Sequence, residues 1–225
     1  MDLPFEQFPA LSALGICRHV FTQRIPGIDV SHDKAEVLNR LDTAHREIRN
    51  AIGVGDWPLF TAEQIHGNKI AVVDTCSRGP VGREFAGCDG IITNQRGIAL
   101  GVYIADCCAV YIVDPKTTAI GLVHSGRKGT ELGVVTNAIR EMIDRFGSDP
   151  ANMMVQLSPC IRPPHYEVDF AAEIVRQCHA LGAKEIHDSG ICTACDVNRY
   201  YSYRAEKGKT GRMLALVGLN PTIAN

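Results

Sequence analysis

A thiol and an imidazole that meet in space can act as a nucleophile pair or as two ligands of a metal ion. Residues 97–130 are where this sequence brings the two together. Two apolar, β-branched runs, Ala109–Val113 and Ala119–Val123, flank the stretch Asp114-Pro115-Lys116-Thr117-Thr118. Pro after Asp presets φ for a turn, so the segment predicts a β-hairpin. Pairing outward from the turn sets Val113 near Ala119 or Thr118. It carries His124 opposite residues 108–109, beside Cys107 and Cys108. Beyond His124 the chain runs through Ser-Gly-Arg-Lys-Gly into a helical pattern, so a helix N-terminus with free N–H donors faces the same spot. Three readings of Cys107 and His124 compete. They are a core thiol beside a core imidazole, a Cys–His nucleophile pair, or two ligands of a zinc site that borrows a third from elsewhere.

Other signals are weaker. Gly121 to Lys128 approaches the phosphate-binding pattern Gly-x-x-x-x-Gly-Lys-Ser/Thr. Arg127 stands where the Lys belongs and Lys128 where the Mg²⁺-binding hydroxyl belongs, which excludes a nucleoside triphosphatase of that kind. An anion can still bind there through Arg127, Lys128 and helix N–H groups. Cys192-Thr-Ala-Cys195 has the spacing of a zinc knuckle or redox pair. No second Cys/His pair at knuckle spacing accompanies it, so these read as structural or incidental thiols. The sequence contains no His-Glu-x-x-His and no His-x-His. The first absence excludes a zincin helix, and the second argues against a multicopper oxidase, so copper is disfavoured. Taken singly, His45 reads as a partly exposed helix histidine, His66 as a turn residue between strands, and Asp89 as a turn residue bonding its own backbone.

These residues must be positioned by a mixed set of elements. Residues 15–24 predict a first strand and 25–32 a turn. Leu41, Ala44, Ile48 and Ile52 form one helical stripe within 33–52, stopped by Gly53. Residues 59–66 and 69–74 predict two strands around a turn at Gly67-Asn68. Residues 75–88 read as a mobile loop, followed by a short strand at Ile91–Thr93 and a turn at 94–97. One long amphipathic helix is expected over 129–146, from the spacing of Leu132, Val135, Ile139, Met142, Ile143 and Phe146. A strand at Met153–Leu157, a helix over 170–181 capped by Asp169, and a last strand at Met213–Leu219 complete the pattern. Strands and helices mix without strict βαβ alternation. The expected fold is α+β, a single domain over 1–225 with mixed β-sheets flanked by helices.

At 225 residues, with 45% hydrophobic and 21% charged residues, the chain can bury a sizeable core. Its formal net charge of −2 gives no footing for broad nucleic-acid or membrane-surface binding. No apolar run reaches the ~20 residues that span a bilayer. The nine cysteines are 17, 76, 88, 107, 108, 160, 178, 192 and 195. The odd count and the acidic start, Met-Asp-Leu-Pro-Phe-Glu, point to reduced thiols in the cytoplasm.

Several stretches then resemble one family in order. They are Gln64-Ile-His66-Gly67, Cys88-Asp89-Gly90-Ile91-Ile92-Thr93, Ala105-Asp106-Cys107, His124-Ser125-Gly126 and Ser158-Pro159-Cys160-Ile161. Tyr166-Glu167-Val168, Tyr201-Ser202-Tyr203-Arg204 and Thr210-Gly211-Arg212 continue the series. Together they resemble the YfiH/laccase-domain family over nearly the whole chain. The resemblance implies layered mixed sheets with helices outside, related to a cysteine-hydrolase fold. Members were once called polyphenol oxidases. The family is now associated with zinc-dependent purine nucleoside phosphorolysis, with adenosine deamination and methylthioadenosine cleavage alongside. Purine nucleosides and phosphate are the implied partners, and zinc the implied cofactor.

Carried over by position, the resemblance places metal ligands on His66, Cys107 and His124. It gives catalytic roles to Cys107, His124 and Lys128, and substrate or phosphate contacts to Arg24, Asn39, Arg127 and Arg204. The chain departs from the family's His-Ala-Gly-Trp-Arg-Gly, reading His124-Ser125-Gly126-Arg127-Lys128-Gly129. Lys128 keeps the positive charge but loses the two-pronged guanidinium fork that suits phosphate. Two other functions stay open: a metal-free hydrolase or deamidase using Cys107 and His124, and a nucleoside- or metal-binding protein with reduced catalysis.

Overall fold

The structure, a computed structural model, describes residues 3–74 and 83–221. Strands β1 (Phe5–Glu6), β2 (Cys17–Thr22), β3 (Leu59–Ala62), β5 (Glu84–Phe85), β7 (Ala99–Ile104) and β12 (Met213–Leu219) form one mixed sheet in the order β1-β2-β12-β7-β3-β5. Strands β4 (Ile70–Val73), β6 (Gly90–Thr93), β8 (Cys108–Asp114), β9 (Ala119–Ser125), β10 (Met154–Leu157) and β11 (Glu185–Asp188) form a second, ordered β11-β10-β8-β9-β6-β4. Helices α1 (Pro9–Ala13), α2 (Lys34–Ala51), α3 (Arg127–Glu131), α4 (Val134–Phe146) and α5 (Phe170–Ala180) complete the described elements. The expected α+β class with mixed sheets is what the chain adopts.

The hairpin of β8 and β9 is the middle of the second sheet, and every one of its fourteen strand residues is buried. Alternation explains why. Ala109, Tyr111 and Val113 of β8, with Ile120 and Leu122 of β9, enter the core that also holds Val20, Leu100 and Leu216 of the first sheet. Cys108, Val110 and Ile112, with Ala119 and Val123, point the other way, into a core closed by Val135, Ile139 and Met142 of α4 and Ile174 of α5. Both faces are covered, so the run is apolar throughout. The turn is fixed by Asp114, whose carboxylate accepts from the amides of Lys116 and Thr117 and from the Thr117 hydroxyl. Asp114 pairs with Ala119, Val113 with Ile120 and Ala109 with His124. His124 thus lies opposite residue 109 as expected, while Val113 faces Ile120 and not Ala119 or Thr118.

Four expectations are corrected. The helix expected over 129–146 is two, because Gly133 turns left-handed (φ 72°) between α3 and α4. Strands β3 and β4 do not pair with each other: β3 lies beside β5 and β7, β4 beside β6. The loop between them therefore crosses from one sheet to the other. The loop expected over 75–88 falls for residues 75–82 outside the described residues, and β5 occupies part of the rest. His45 is buried on α2, its ring 6.0 Å from that of Tyr103, rather than partly exposed. Asp169 caps α5 as expected, and Asp33 caps α2, each through side-chain bonds to backbone amides, while β1, α1, β7 and β11 are elements that the sequence pattern does not indicate.

Candidate metal centre

The crossover loop between β3 and β4 carries His66 to the open end of the hairpin. His66 adopts a left-handed backbone (φ 61°), as does Gln64 (φ 67°). Such conformations cost non-glycine residues energy and persist where neighbours impose them. Here both neighbours are visible. The Gln64 side chain donates to the carbonyl of Tyr103 at 2.7 Å and accepts from the Tyr103 amide at 2.8 Å, locking the loop to β7. Asp89, wholly buried just ahead of β6, accepts from the amides of His66 (2.8 Å) and Gly67 (2.7 Å).

The same carboxylate accepts from Nδ1 of His124 at 2.9 Å. One buried anion therefore sets the backbone of one histidine and the ring of another. With Nδ1 engaged by Asp89, Nε2 of His124 is free for the cleft side. Burial pushes the Asp89 carboxyl up, but the His124 bond and the two amides outweigh it and hold it below the usual carboxylate range.

His66, Cys107 and His124 each present one ligand atom, and the three atoms lie within 4.8 Å of one another. The two imidazole rings meet edge to face, with centroids 4.9 Å apart. Burial pushes the Cys107 thiol up, yet His124, by charge and hydrogen bond, and His66 bring it down to about 6. Burial likewise lowers His124, but the charge of Cys107 and the bond to Asp89 raise it to about 9. The two shifts run in the directions that favour a charged Cys107 sulfur and a protonated His124 ring. Gly126 makes room for the sulfur: a Cβ there would stand 2.5 Å from Sγ of Cys107. Nitrogen, nitrogen and thiolate sulfur, with a carboxylate behind one imidazole and solvent on the His66 side, fit a catalytic metal site with an open position.

Cys107 is also held from behind. Asp106 is left-handed (φ 81°), and its carboxylate accepts from the Thr193 hydroxyl at 2.8 Å and the Arg204 amide at 2.7 Å. Those two bonds tie the loops around 193 and 204 to the residue preceding the sulfur.

The three side chains open onto a cleft of about 830 Å³. Its walls include the cations Lys34, Arg127, Lys128, Arg204 and Arg212 and the rings of Tyr103, Tyr166, Phe170 and Tyr203. Arg127 bonds Glu131 (2.9 Å) and reaches Glu167 (3.5 Å), and Arg204 bonds Glu167 (3.2 Å) while lying over the Tyr166 ring. Lys128 has no ion pair among the described residues.

Of the residues expected at the site, His66, Cys107, His124, Arg127, Lys128 and Arg204 border the cleft. Arg24 and Asn39 do not. Arg24 lies over the Tyr201 ring and pairs with Glu206 at 2.7 Å, and Asn39 is an exposed residue of α2. Asp89 is the residue that sequence reasoning passed over, reading it as bonded to its own backbone. Its only signal was membership of the Cys88–Thr93 stretch, since its partners lie 22, 23 and 35 positions away.

The fold and the site together define an α+β protein with a Cys-His-His cluster that could hold a metal ion at the floor of a cationic cleft. A family profile described as "Multi-copper polyphenol oxidoreductase laccase" matches residues 14–178 and 168–220. The chain belongs to this laccase-domain family, the YfiH family of the sequence motifs. Among its relatives is a protein of Streptomyces coelicolor named as a purine nucleoside phosphorylase, 31% identical over 79% of this chain and 82% of that protein. Another, from Geobacillus stearothermophilus and named purine nucleoside phosphorylase YlmD, is 28% identical over 85% of this chain and 82% of its own length. The crystal structure of YlmD from that organism superposes with a TM-score of 0.80 at 23% identity, covering 98% of this chain and all of the other. That of a hypothetical protein YfiH from Bacillus licheniformis gives 0.79 at 22%, covering 97% of each chain.

Proposed function

We propose that this protein is a cytoplasmic, zinc-dependent purine nucleoside phosphorylase with adenosine deamination as a side activity. The observation that carries the reading is the convergence of His66, Cys107 and His124 at the floor of the cationic cleft. The names of the relatives supply the substrate class. The eight described cysteines are all free thiols, in keeping with a reducing compartment.

His66, Cys107 and His124 would hold the ion. When bound, zinc supplies a Lewis acid that polarises an oxygen of the reactant. The remaining work falls to the chain itself. Asp89 keeps the Nδ1 proton of His124, so this ring presents only Nε2 to the cleft. Lys128, with Arg204 and Arg127 beside it, attracts phosphate and orients it toward C1′ of the ribose, where a new C–O bond replaces the glycosidic C–N bond. Tyr166, Tyr203 and Phe170 offer faces on which a purine stacks.

Incubation of the purified protein with adenosine, with and without phosphate, tests the reading. Adenine that appears only with phosphate is the expected product, with a smaller yield of inosine in both conditions. No adenine with phosphate present removes the phosphorylase assignment.

The closeness of Cys107 to His124, with the thiol shifted down and the imidazole up, favours one second reading, a metal-free hydrolase or deamidase in which Cys107 is the nucleophile. Selective labelling of Cys107 by iodoacetamide at neutral pH, in protein that as purified carries no metal, distinguishes it.

A further inference from the structure

The Cys192-Thr-Ala-Cys195 motif has no part in the function above, yet the structure builds it with care. Cys192 runs extended beside Cys160 and leads into a short 3₁₀ turn at Thr193–Cys195: the Cys160 amide donates to the Ile191 carbonyl and the Thr193 amide to the Cys160 carbonyl. The chain then closes into a tight turn, with the Cys195 amide donating to the carbonyl of Cys192 at 3.2 Å. A turn of this kind keeps its first and fourth Cα atoms within ~7 Å, inside the range a disulfide spans. As first and fourth residues of this turn the two side chains lie on one face of it, where the Cys192 thiol, ahead of burial, raises the Cys195 thiol; the Cys192 sulfur itself donates to the Arg162 carbonyl at 3.9 Å. Cys195 is exposed and Cys192 half-buried, so one sulfur meets solvent while its neighbour waits behind it. Between them, Thr193 is buried and gives its hydroxyl to Asp106, the residue before Cys107.

We propose that Cys192 and Cys195 are a redox-active dithiol, a disulfide-forming modification site whose state reaches the metal centre through Thr193 and Asp106. The oxidant is a low-molecular-weight disulfide of the glutathione class. The Cys195 thiolate attacks one of its sulfurs, a mixed disulfide forms, and the reagent's S–S bond breaks to release one thiol. The Cys192 thiolate then attacks the Cys195 sulfur, closing the protein disulfide and releasing the second thiol. The protein loses two electrons, the reagent gains them, and the two protons leave on the two thiols. Closing a covalent bond across the turn alters the backbone that aims Thr193. Asp106 then loses a donor, and its hold on the Arg204 amide loosens. The other thiols of this region, Cys108 and Cys160, are buried and closed to such reagents.

The test uses the full chain equilibrated at graded ratios of reduced to oxidised glutathione, then alkylated and digested with trypsin. One tryptic peptide, residues 185–199, contains both cysteines. The expected result is that this peptide becomes lighter by two hydrogens and resists alkylation, while Cys17, Cys108, Cys160 and Cys178 remain alkylated. In Cys195→Ser, Cys192 stays alkylated at the same ratios. Hydrogen exchange at the Arg204 amide should rise by about tenfold or more on oxidation of the wild type, as expected for weakening one bond to a charged acceptor. Alkylation of both cysteines at every ratio, or glutathione retained on Cys195 with Cys192 alkylated, overturns the dithiol. A disulfide that leaves Arg204 exchange unchanged overturns the link to the centre. Both readouts are independent of whether the cleft cleaves nucleosides.

Discussion

The floor and the rim of the cleft are built by different means. At the floor, the His66 backbone and the His124 ring are fixed by Asp89, which has no solvent exposure, and Cys107 is held through the bonds of Asp106 to the Thr193 hydroxyl and the Arg204 amide. At the rim, Arg127, Glu131, Glu167 and Arg204 hold one another through side chains that are each roughly half exposed. Buried polar groups lose much when a partner is removed, whereas exposed ion pairs contribute ~0–1 kcal/mol. The contrast assigns geometry to the floor and exchangeable charge to the rim.

The largest effect should come from crowding the sulfur. Gly126→Ala forces a Cβ toward Cys107 and displaces the thiolate. Moving a ligand atom itself should lower metal affinity, in competition with a chelator, by more than the ~10–100-fold that loss of an outer-shell partner costs. Asp89→Asn comes next. It keeps the shape but changes the charge behind His124 and weakens the clamp on His66, so metal affinity should fall ~10–100-fold. Equal affinity in this variant would break the distinction between floor and rim. Lys128→Ala should raise the KM for phosphate about tenfold, the scale of one hydrogen bond to a charged group, with little change in metal content. Glu167→Gln should alter that KM by no more than a few-fold, because its partners are exposed and screened.

Stability against pH sharpens the same contrast from outside the cleft. Burial lowers His19 and His45 to about 4 each. In the unfolded chain both return to ~6.5 and take up a proton that the native state refuses. Their contribution to stability is whole above pH ~6.5 and is lost as the pH falls through that value toward 4. Urea denaturation at pH 7 and pH 5 should show on the order of 2 kcal/mol lost for each histidine. His19→Gln should remove its share of that slope, and an unchanged slope would contradict the assignment.

Much of this was legible in the sequence, for definable reasons. The hairpin could be read because its turn chemistry and its apolar run are local, and local pairing fixes register out to Ala109 and His124. The start of α5 could be read because Asp169 caps it within three residues. The arrival of His66 came from the family motifs, since a loop that crosses between two sheets leaves no periodic trace. Gly133 sits inside a helical pattern that hides a break, because its neighbours keep the apolar spacing on both sides. Arg24 has a cation's chemistry wherever it stands, and only the fold shows it spent on Glu206 and Tyr201. The burial of His45 against Tyr103 is likewise a matter of tertiary packing.

The direct test of the floor is the metal content of the purified protein, read by elemental mass spectrometry for wild type and Cys107→Ser side by side. The account predicts about one zinc ion per wild-type chain, as a single site with three protein ligands requires, and little or none in the variant. Equal zinc in both proteins, or no divalent metal in the wild type after zinc is supplied, would contradict it.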